Sequence, residues 1–269
     1  MAWRVGFVSL TRFALALFGA VAIQIGTNLI NDYYDHINAI DSAGSMGSSR
    51  VIQEGLVTPD ELWWGGIMAF VISAVAGLVL VRLCGWPILA IGLASVAAGY
   101  YYTASPVALG YLALGELTVF IFMGPGIVVG SYYVMALRFA WAPFIASLPV
   151  GLLVAAILHA NNIRDIELDR QYHKLTLANL LDRRAANAEM IALVGGAYVA
   201  TIAAALVGVL PWTVLLTLLT AGRARSELKA IKRSEPAKLH TAVFRAAQLH
   251  LEFGVLLLIG IVAAGLLRR

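Results

Sequence analysis

Long apolar runs constrain the fold of this chain more than any other feature of its sequence. A helix that crosses a bilayer needs about 20 mostly apolar residues, and because lipid offers the backbone no hydrogen bonds, such runs are expected to be helical. We predict an all-α fold, a polytopic transmembrane helix bundle of about eight spans that forms a single domain over residues 1–269. The predicted spans are 12–31, 63–81, 86–103, 113–136, 141–161, 189–208, 211–222 and 249–267.

The composition agrees with a membrane protein. Charged residues make up 13% of the chain and hydrophobic residues 61%, whereas an ordinary soluble domain has about 25% charged residues. The seventh run is the shortest. It follows Pro211, a residue suited to the first turn of a helix, and it can continue into the polar stretch beyond Gly222.

Three long polar connections, at 36–62, 162–188 and 223–246, fall on one face of the bundle if every span crosses. That face carries thirteen Lys and Arg residues and the opposite face carries six. The excess places the long connections in the cytoplasm, and we expect a multi-pass protein of the cell (inner) membrane whose catalytic loops are cytoplasmic. Since topology accounts for the net charge of +4, no nucleic-acid partner is indicated.

The third of these connections, 223–246, is rich in Arg, Lys and Glu with apolar residues interspersed. This pattern is typical of an amphipathic helix in a cytoplasmic loop. We interpret its basic residues as a solvated face near anionic lipid headgroups rather than as a specific binding patch.

Oxygen-bearing side chains form a stripe at the end of the first span. Asn28, Asp32 and Asp35 are spaced i, i+4 and i+7, which places them along one side of a helix. Asn31 lies off that stripe, and Asp41 follows in the loop.

A second stripe lies past the middle of the chain. Asn161, Asp165 and Asp169 are spaced i, i+4 and i+8, with Arg164 and Lys174 beside them. Either stripe alone is explained by ordinary helix capping, but the repetition of the pattern favours a shared role. Carboxylates one helical turn apart repel each other, and a hard divalent cation compensates them. Oxygen ligands without clustered His or Cys favour Mg²⁺, which also binds phosphate oxygens. The two stripes therefore predict a diphosphate held by Mg²⁺.

The acidic segments resemble those of the UbiA superfamily of intramembrane aromatic prenyltransferases. Its first motif is approximately Asn-Asp-x-x-Asp, matched by Asn31 to Asp35, and its second is Asp-x-x-x-Asp, matched by Asp165 to Asp169. Within the superfamily the chain is most similar to the 1,4-dihydroxy-2-naphthoate prenyltransferases of menaquinone biosynthesis. The stretches that carry this likeness are 24–29, 50–59, 109–111, 115–116, 130–133 and 161–165.

The resemblance implies Mg²⁺-dependent transfer of a polyprenyl group from a polyprenyl diphosphate to an aromatic acid acceptor, 1,4-dihydroxy-2-naphthoate, with decarboxylation. The lipid bilayer would surround the prenyl tail. The implied catalytic carboxylates are Asp32, Asp35, Asp165 and Asp169, which also hold the metal together with Asn28. The implied substrate-binding residues are Asn28, Asn31, Asp41, Arg50, Asn161, Asn162, Arg164, Lys174, Tyr102 and Tyr132.

Three features depart from the family pattern. Members usually have nine spans, and this chain begins almost at what would be their second. His173 precedes Lys174 where many relatives have glycine. Some branches of the superfamily have a Lys shortly after the tyrosine that corresponds to Tyr102, but this chain has none there. One phosphate contact is therefore either lost or made by Arg50 instead.

Three other interpretations remain open at the level of sequence. The acceptor can be another aromatic acid, such as 4-hydroxybenzoate or homogentisate. From a different class, the intramembrane carboxylates suit a cation-coupled transporter, although transporters tend to have inverted repeats and no internal repeat is evident here. An inactive scaffold that lacks the first helix of the family is the third.

Overall fold

A computed structural model describes residues 8–38, 51–233 and 239–267 of this chain. Within these ranges the regular structure is helical, apart from one isolated backbone bridge between Leu112 and Leu175. The prediction of an all-α fold is confirmed. In chain order the helices are α1 (Leu10–Ile37), α2 (Pro59–Cys84), α3 (Trp86–Tyr100), α4 (Gly115–Ile121), α5 (Ile127–Ala136), α6 (Trp141–Arg164), α7 (Ile166–Gln171), α8 (Leu177–Leu180), α9 (Arg183–Leu206), α10 (Ala221–Arg233) and α11 (His240–Leu266).

Six helical segments in the described ranges are long and apolar enough to cross a membrane. They are α1, α2, the segment Gly115–Ala136, α6, α9 and the segment Thr241–Leu266 of α11. In the third of these segments, α4 and α5 are joined by a π-helical turn at Phe122–Gly126 that contains Pro125, a residue that cannot continue the α-helical hydrogen bonding. The chain is therefore a multi-pass membrane protein.

The other two predicted spans correspond to shorter elements. Helix α3 is apolar but has 15 residues, about 22 Å at 1.5 Å per residue. The run after Pro211 is a 3₁₀ helix at Trp212–Thr220 that leads directly into α10. This agrees with the prediction that the run continues beyond Gly222. Within the polar stretch 223–246, residues 223–233 lie in α10 and residues 240–246 lie in α11. The count of eight spans and their orientation stay predictions.

Local sequence signals explain where several helices begin. Thr58 and Glu61 form a capping box at the start of α2, with Pro59 in the first turn, an arrangement that satisfies amides which have no partner within the helix. Gly85 separates α2 from α3 with a φ of 89°, a left-handed conformation that glycine adopts without steric cost. Asp182 accepts a hydrogen bond from the amide of Ala185 and caps α9.

Small residues let the helices that carry the acidic motifs approach their neighbours closely. A Cβ built on Gly26 of α1 would lie 3.1 Å from the carbonyl oxygen of Gly66 on α2. A Cβ built on Gly124 would lie 2.7 Å from the Cα of Gly151 on α6. Close backbone approach of this kind is how helices associate in lipid, where the hydrophobic effect does not drive them together.

The larger apolar core lies between α6, α9, the 3₁₀ helix and α11, and includes the fully buried side chains of Leu153, Met190 and Phe253. A smaller core joins α2 and α3 to α5 around Leu80, Ile88 and Val134. Both acidic motifs lie at the carboxyl ends of packed helices, α1 and α6, and so are positioned by these contacts.

Candidate active site

The first acidic motif occupies the last turns of α1. Asp35 accepts hydrogen bonds from the side-chain amide of Asn31, at 3.0 Å, and from the hydroxyl of Tyr111. Asp32 lies one turn earlier and is half-buried. Asn28 is exposed and accepts a hydrogen bond from Gln24 at 3.0 Å. The structure thus joins Asn31 and Asp35 directly and leaves Asn28 accessible along the same helix.

The second motif begins where α6 ends. Arg164 donates through Nε and Nη2 to the two oxygens of Asp165, at 2.7 and 2.6 Å, and through Nη2 to Asn161 at 2.6 Å. Two parallel bonds between a guanidinium and a carboxylate fix the geometry of both groups. Arg164 therefore holds the Asp165 carboxylate and the Asn161 amide in place, and its own charge offsets one of the acidic charges.

Asp169 is the most buried of these acidic groups, at 2% exposed. Its Oδ1 lies 3.6 Å from the ammonium of Lys174, and its Oδ2 has no hydrogen-bond partner among the described residues. Burial raises the pKa of Asp169 to about 6; Lys174 opposes that rise, and the negative charges of Asp165 and Asp35 add to it. The effect of Asp35 places the two motifs within electrostatic range of each other.

Two loops pair to bring the motifs together. The amide of Ala113 donates to the carbonyl of Leu175 at 2.9 Å, and the amide of Leu175 donates to the carbonyl of Tyr111 at 3.2 Å. This pairing sets the Lys174 ammonium 5.6 Å from the centre of the Tyr111 ring, within range of a cation–π interaction. Tyr111 thus contacts Asp35 through its hydroxyl and Lys174 through its ring, and links one motif to the other.

Tyr102 belongs to the same site. Its ring packs on Gly110, where a Cβ would lie 3.1 Å from ring atom Cε1, and its hydroxyl lies 3.1 Å from the Cβ position of Gly115. Asp35 and Asp169 are both near enough to act on it electrostatically. Tyr132 is instead buried in α5, and it takes no part in the hydrogen bonds described around the acidic motifs.

Asn162 points into a separate buried cluster. Its side-chain amide donates to Oε1 of Glu116 at 2.9 Å, and the same oxygen lies 3.0 Å from Nδ1 of His159. Nε2 of His159 donates to the carbonyl of Ala186 at 2.9 Å. The ligand atoms of Glu116, His159 and Glu189 lie within 4.8 Å of one another. Both imidazole nitrogens already make hydrogen bonds. The cluster therefore has a structural role, because its hydrogen bonds connect α4, α6 and α9.

Sequence reasoning missed Tyr111 and the Glu116 cluster as parts of the site's framework. A charged residue within an apolar span was an available signal for Glu116, since such a group needs a partner in the bundle. Tyr111 lies in the stretch 109–111 that carries the family likeness, but its role was not indicated, because its partners come from distant parts of the chain. Two of the predicted site residues, Asp41 and Arg50, lie outside the described residues.

The carboxylates fit a hard cation. Asp35 and Asp169 belong to different helices, and both offer carboxylate oxygens as metal ligands. The buried Oδ2 of Asp169 accepts no hydrogen bond from the described residues. A buried carboxylate oxygen without a donor is costly, and a bound Mg²⁺ removes that cost. Asp165, whose charge also acts on Asp169, and Asp32, one turn before Asp35, are the other carboxylates of the two motifs.

The chain is a helical membrane bundle with acidic, oxygen-bearing side chains at the ends of two helices, as expected of the superfamily that its motifs resemble. The chain matches the UbiA prenyltransferase family over residues 1–249 and belongs to it. It is a prenyltransferase, and the transporter interpretation of its intramembrane carboxylates is set aside.

Relatives of known name are similar over most of the chain. The 1,4-dihydroxy-2-naphthoate octaprenyltransferase of Bacillus subtilis (strain 168) is 31% identical over 255 residues, which are 94% of this chain and 82% of the relative. The protein of that name from Mycobacterium tuberculosis (strain ATCC 25618 / H37Rv) is 38% identical over 164 residues, 61% of this chain and 56% of the relative.

Two solved structures share the fold. The apo structure of a UbiA homologue from Aeropyrum pernix K1 aligns with a TM-score of 0.66 at 17% identity, covering 96% of this chain and 93% of that one. A UbiA homologue from Archaeoglobus fulgidus bound to DMAPP and Mg²⁺ aligns with a TM-score of 0.61 at 14% identity, covering 95% of this chain and 92% of that one. The predicted UbiA-like bundle is confirmed.

Proposed function

We propose that this prenyltransferase transfers a polyprenyl group from a polyprenyl diphosphate to 1,4-dihydroxy-2-naphthoate, in a Mg²⁺-dependent reaction of menaquinone biosynthesis. The observation that carries the proposal is that Asp35 and Asp169, on separate helices, lie within electrostatic range of each other, while Oδ2 of Asp169 is buried without a hydrogen-bond partner among the described residues. The relatives' names supply the acceptor, and the Archaeoglobus fulgidus neighbour, bound to DMAPP and Mg²⁺, supplies the class of donor.

The residues that would hold Mg²⁺ are Asp32, Asp35, Asp165 and Asp169, with Asn28 as a further oxygen ligand. When bound, the metal neutralises the charge that develops on the departing diphosphate. Lys174, half-buried beside Asp169, offers a cation to the phosphate oxygens. Arg164 has a different role, since its guanidinium is committed to Asp165 and Asn161 and orients them.

Tyrosine side chains shape the space next to the leaving group. Burial and the nearby charge of Asp35 raise the pKa of Tyr111 above its ordinary value, so its hydroxyl stays protonated and can donate to Asp35. Tyr102, packed between Gly110 and Gly115, presents an aromatic ring near the acidic groups. An aromatic face stabilises a positively charged allylic fragment, and a ring held by packing does so without further ordering.

The acceptor ring attacks the allylic carbon as the bond between carbon and the diphosphate oxygen breaks. In the proposed reaction the new carbon–carbon bond forms at the ring position bearing the carboxylate, which leaves as CO₂. The diphosphate departs with the electron pair of the broken bond. We place this chemistry on the cytoplasmic face of the cell membrane, following the distribution of Lys and Arg.

The test is an assay of membranes containing the full chain, supplied with a polyprenyl diphosphate, Mg²⁺ and one acceptor at a time. We expect a prenylated product from 1,4-dihydroxy-2-naphthoate whose mass shows loss of CO₂, and no product after chelation of Mg²⁺. Transfer to 4-hydroxybenzoate or homogentisate in its place would overturn the assignment of the acceptor.

The matched variants are Asp165→Asn and Glu167→Gln, two residues apart at the second motif. Glu167 is exposed, with a side chain that is 79% accessible, and its variant should keep wild-type activity. Loss of an outer-shell partner of a metal ligand already lowers metal affinity or activity by about 10- to 100-fold. Because Asp165 is proposed as a ligand itself, we expect Asp165→Asn to lose at least about 100-fold in kcat/KM. Equal activity of the two variants would contradict the metal–diphosphate site.

A further inference from the structure

A groove of about 400 Å³ lies between α9 and α10. Its α9 wall is apolar and includes Ile191, Val194 and Tyr198, spaced i, i+3 and i+7 on one side of the helix. Its α10 wall combines Leu228 with the basic residues Lys229 and Lys232. The groove thus has an apolar floor and a cationic border, and it lies apart from both acidic motifs in the chain.

The direction of the groove follows from two hydrogen bonds. The hydroxyls of Tyr198 and Thr220 lie 2.6 Å apart at one end, and Arg183 donates to the carbonyl of Ile231 at 3.1 Å at the other. Helices α9 and α10 therefore run antiparallel. Lys232 lies near the end of α9 that begins at Arg183, and the apolar wall extends from there towards Tyr198, over about 10 Å between Ile191 and Tyr198.

The opposite side of α10 is already occupied. Glu227 and Ile231 are buried, and Glu227 pairs with Arg245 of α11 at 2.6 Å. This packing leaves the basic side of α10 facing the groove as a fixed surface.

Three cations on that side are exposed. Arg225, Lys229 and Lys232 are spaced i, i+4 and i+7, line the groove, and make no ion pair within the described part of the chain. By contrast, Arg223 and Arg245, which belong to the same region, are paired with Glu252 and Glu227. Within the described ranges no carboxylate lines the groove, so this part of its lining attracts a phosphate group.

We propose that this groove binds one anionic phospholipid. An acyl chain lies along the apolar wall of α9, and the headgroup phosphate lies against Lys229, Lys232 and Arg225. Arg contacts phosphate in bidentate fashion and Lys as a point charge. A prenyl diphosphate is the less suitable occupant, since none of the described residues that line the groove is a carboxylate able to hold the Mg²⁺ that accompanies it. The proposal is independent of the prenyl-transfer chemistry.

The experiment is native mass spectrometry of the full-length protein in detergent, titrated with phosphatidylglycerol or phosphatidylcholine of identical acyl chains. Wild-type protein should bind one phosphatidylglycerol in preference to phosphatidylcholine. Surface cations contribute about 1 kcal/mol each towards anionic lipid, so Lys229→Gln with Lys232→Gln should weaken phosphatidylglycerol binding by about tenfold or more. The control is Arg82→Gln with Arg184→Gln, which removes the same charge from exposed positions outside the groove and should leave binding unchanged.

A second pair of variants tests the apolar wall. Gly195 lines the groove, and a Cβ built there meets no atom within 4 Å, so Gly195→Leu fills the groove without a clash in the fold. Gly195→Leu should abolish the preferential binding of phosphatidylglycerol. Gly254→Leu, at an equally open helical position, should leave that binding unchanged.

Three outcomes would overturn the proposal. One is equal loss of phosphatidylglycerol in the lysine variant and its arginine control. Another is unaltered binding in Gly195→Leu. The third is displacement of bound phosphatidylglycerol by farnesyl diphosphate with Mg²⁺, which would reassign the groove to the prenyl tail.

Discussion

Tyr111 is a residue through which both halves of the site are coupled. Its hydroxyl donates to Asp35 of α1, and its ring lies 5.6 Å from the ammonium of Lys174, which pairs with Asp169. By donating to Asp35, the Tyr111 hydroxyl fixes the orientation of a carboxylate that is proposed to bind the metal. Outer-shell partners of metal ligands have this effect.

Replacing Tyr111 with Phe removes only the hydroxyl and keeps the ring beside Lys174. A hydrogen bond to a charged group contributes about 1.5–3 kcal/mol, so we expect kcat/KM to fall about tenfold and the Mg²⁺ concentration for half-maximal activity to rise. Steady-state assays over a Mg²⁺ titration measure both. Tyr172→Phe, in the adjacent loop, is the control, and a Tyr111→Phe enzyme identical to it would show that the contact has no role in metal binding.

His173 has a φ of 57°, in the left-handed region that disfavours residues with a Cβ. A glycine at this position would adopt the same conformation without that steric cost. The loop keeps its conformation here because the pairing of Leu175 with Tyr111 and Ala113 holds it.

His173→Gly should therefore stabilise the protein. Relief of the left-handed strain, less the added freedom of glycine in the unfolded chain, leaves a gain of roughly 0.5–1 kcal/mol, equivalent to a Tm rise of about 2 °C. Thermal unfolding in detergent measures it. His173→Ala keeps a Cβ and should show no gain; an equal gain in both variants would point to removal of the imidazole instead.

At the scale of elements, α10 is held to α11 by an ion pair between the buried Glu227 and the half-buried Arg245, at 2.6 Å. Burial raises the pKa of Glu227 above its ordinary value, while Arg245 and then Arg223 oppose that rise. Because the folded-state pKa is raised, the folded protein holds more protons than the unfolded chain between the two values. The contribution of Glu227 to the free energy of unfolding is thus greatest below its ordinary pKa and declines as the pH rises through the folded-state value.

Arg245→Gln removes the partner and leaves a buried carboxylate unpaired. We expect a loss of about 3 kcal/mol in the free energy of unfolding at neutral pH, at the low end for a broken buried pair. The loss should shrink as the pH is lowered, because protonated Glu227 needs no cation. Unfolding curves at pH 5 and pH 7.5 give the comparison. Glu227→Gln with Arg245→Gln is the control without a charge, and a pH-independent defect in the single variant would contradict the burial of Glu227.

At the scale of the whole molecule, the site exists only because α1, the loop before α4 and the loop after α7 meet. Asp35 and Asp169 are 134 residues apart in the numbering of the chain, and the pairing of the loops at Tyr111 and Leu175 closes that distance. A ligand held by both groups should therefore stabilise the whole assembly rather than one helix.

We expect Mg²⁺ with inorganic pyrophosphate to raise the Tm of wild-type protein, since a ligand at 100 times its Kd stabilises by about 2.7 kcal/mol. Asp35→Asn and Asp169→Asn should each abolish the shift. The double variant should lose no more than either single one, because one ligand is shared. Glu167→Gln should keep the shift, and half the shift in each single variant would indicate two independent sites.

Much of this could be predicted from the chain alone. Apolar runs long enough to span a bilayer predict helices without reference to partners, since lipid forces each segment to satisfy its own backbone. The i, i+4 spacing of Asn28 and Asp32, or of Asn161 and Asp165, predicts shared helical faces because the helical period is local. Asn162 shows the limit: its role in substrate binding stays a prediction, and no local pattern indicates that its amide donates to Glu116 on α4.

The basic residues of α10 show the same limit in another way. Their sequence indicates a polar helix and predicts contact with lipid headgroups, but not a groove, because the apolar wall belongs to α9 and comes from residues about 30 positions earlier.

The helices, the membrane setting and the two acidic stripes follow from the sequence alone, since hydrophobicity and helical period act over a few residues. Three relations depend on the tertiary structure: Tyr111 joins Asp35 to Lys174, Arg164 pairs with Asp165, and the cations of α10 border an apolar groove. Those relations depend on which helices approach each other, and close approach is set by packing between residues far apart in the chain, which no local pattern records.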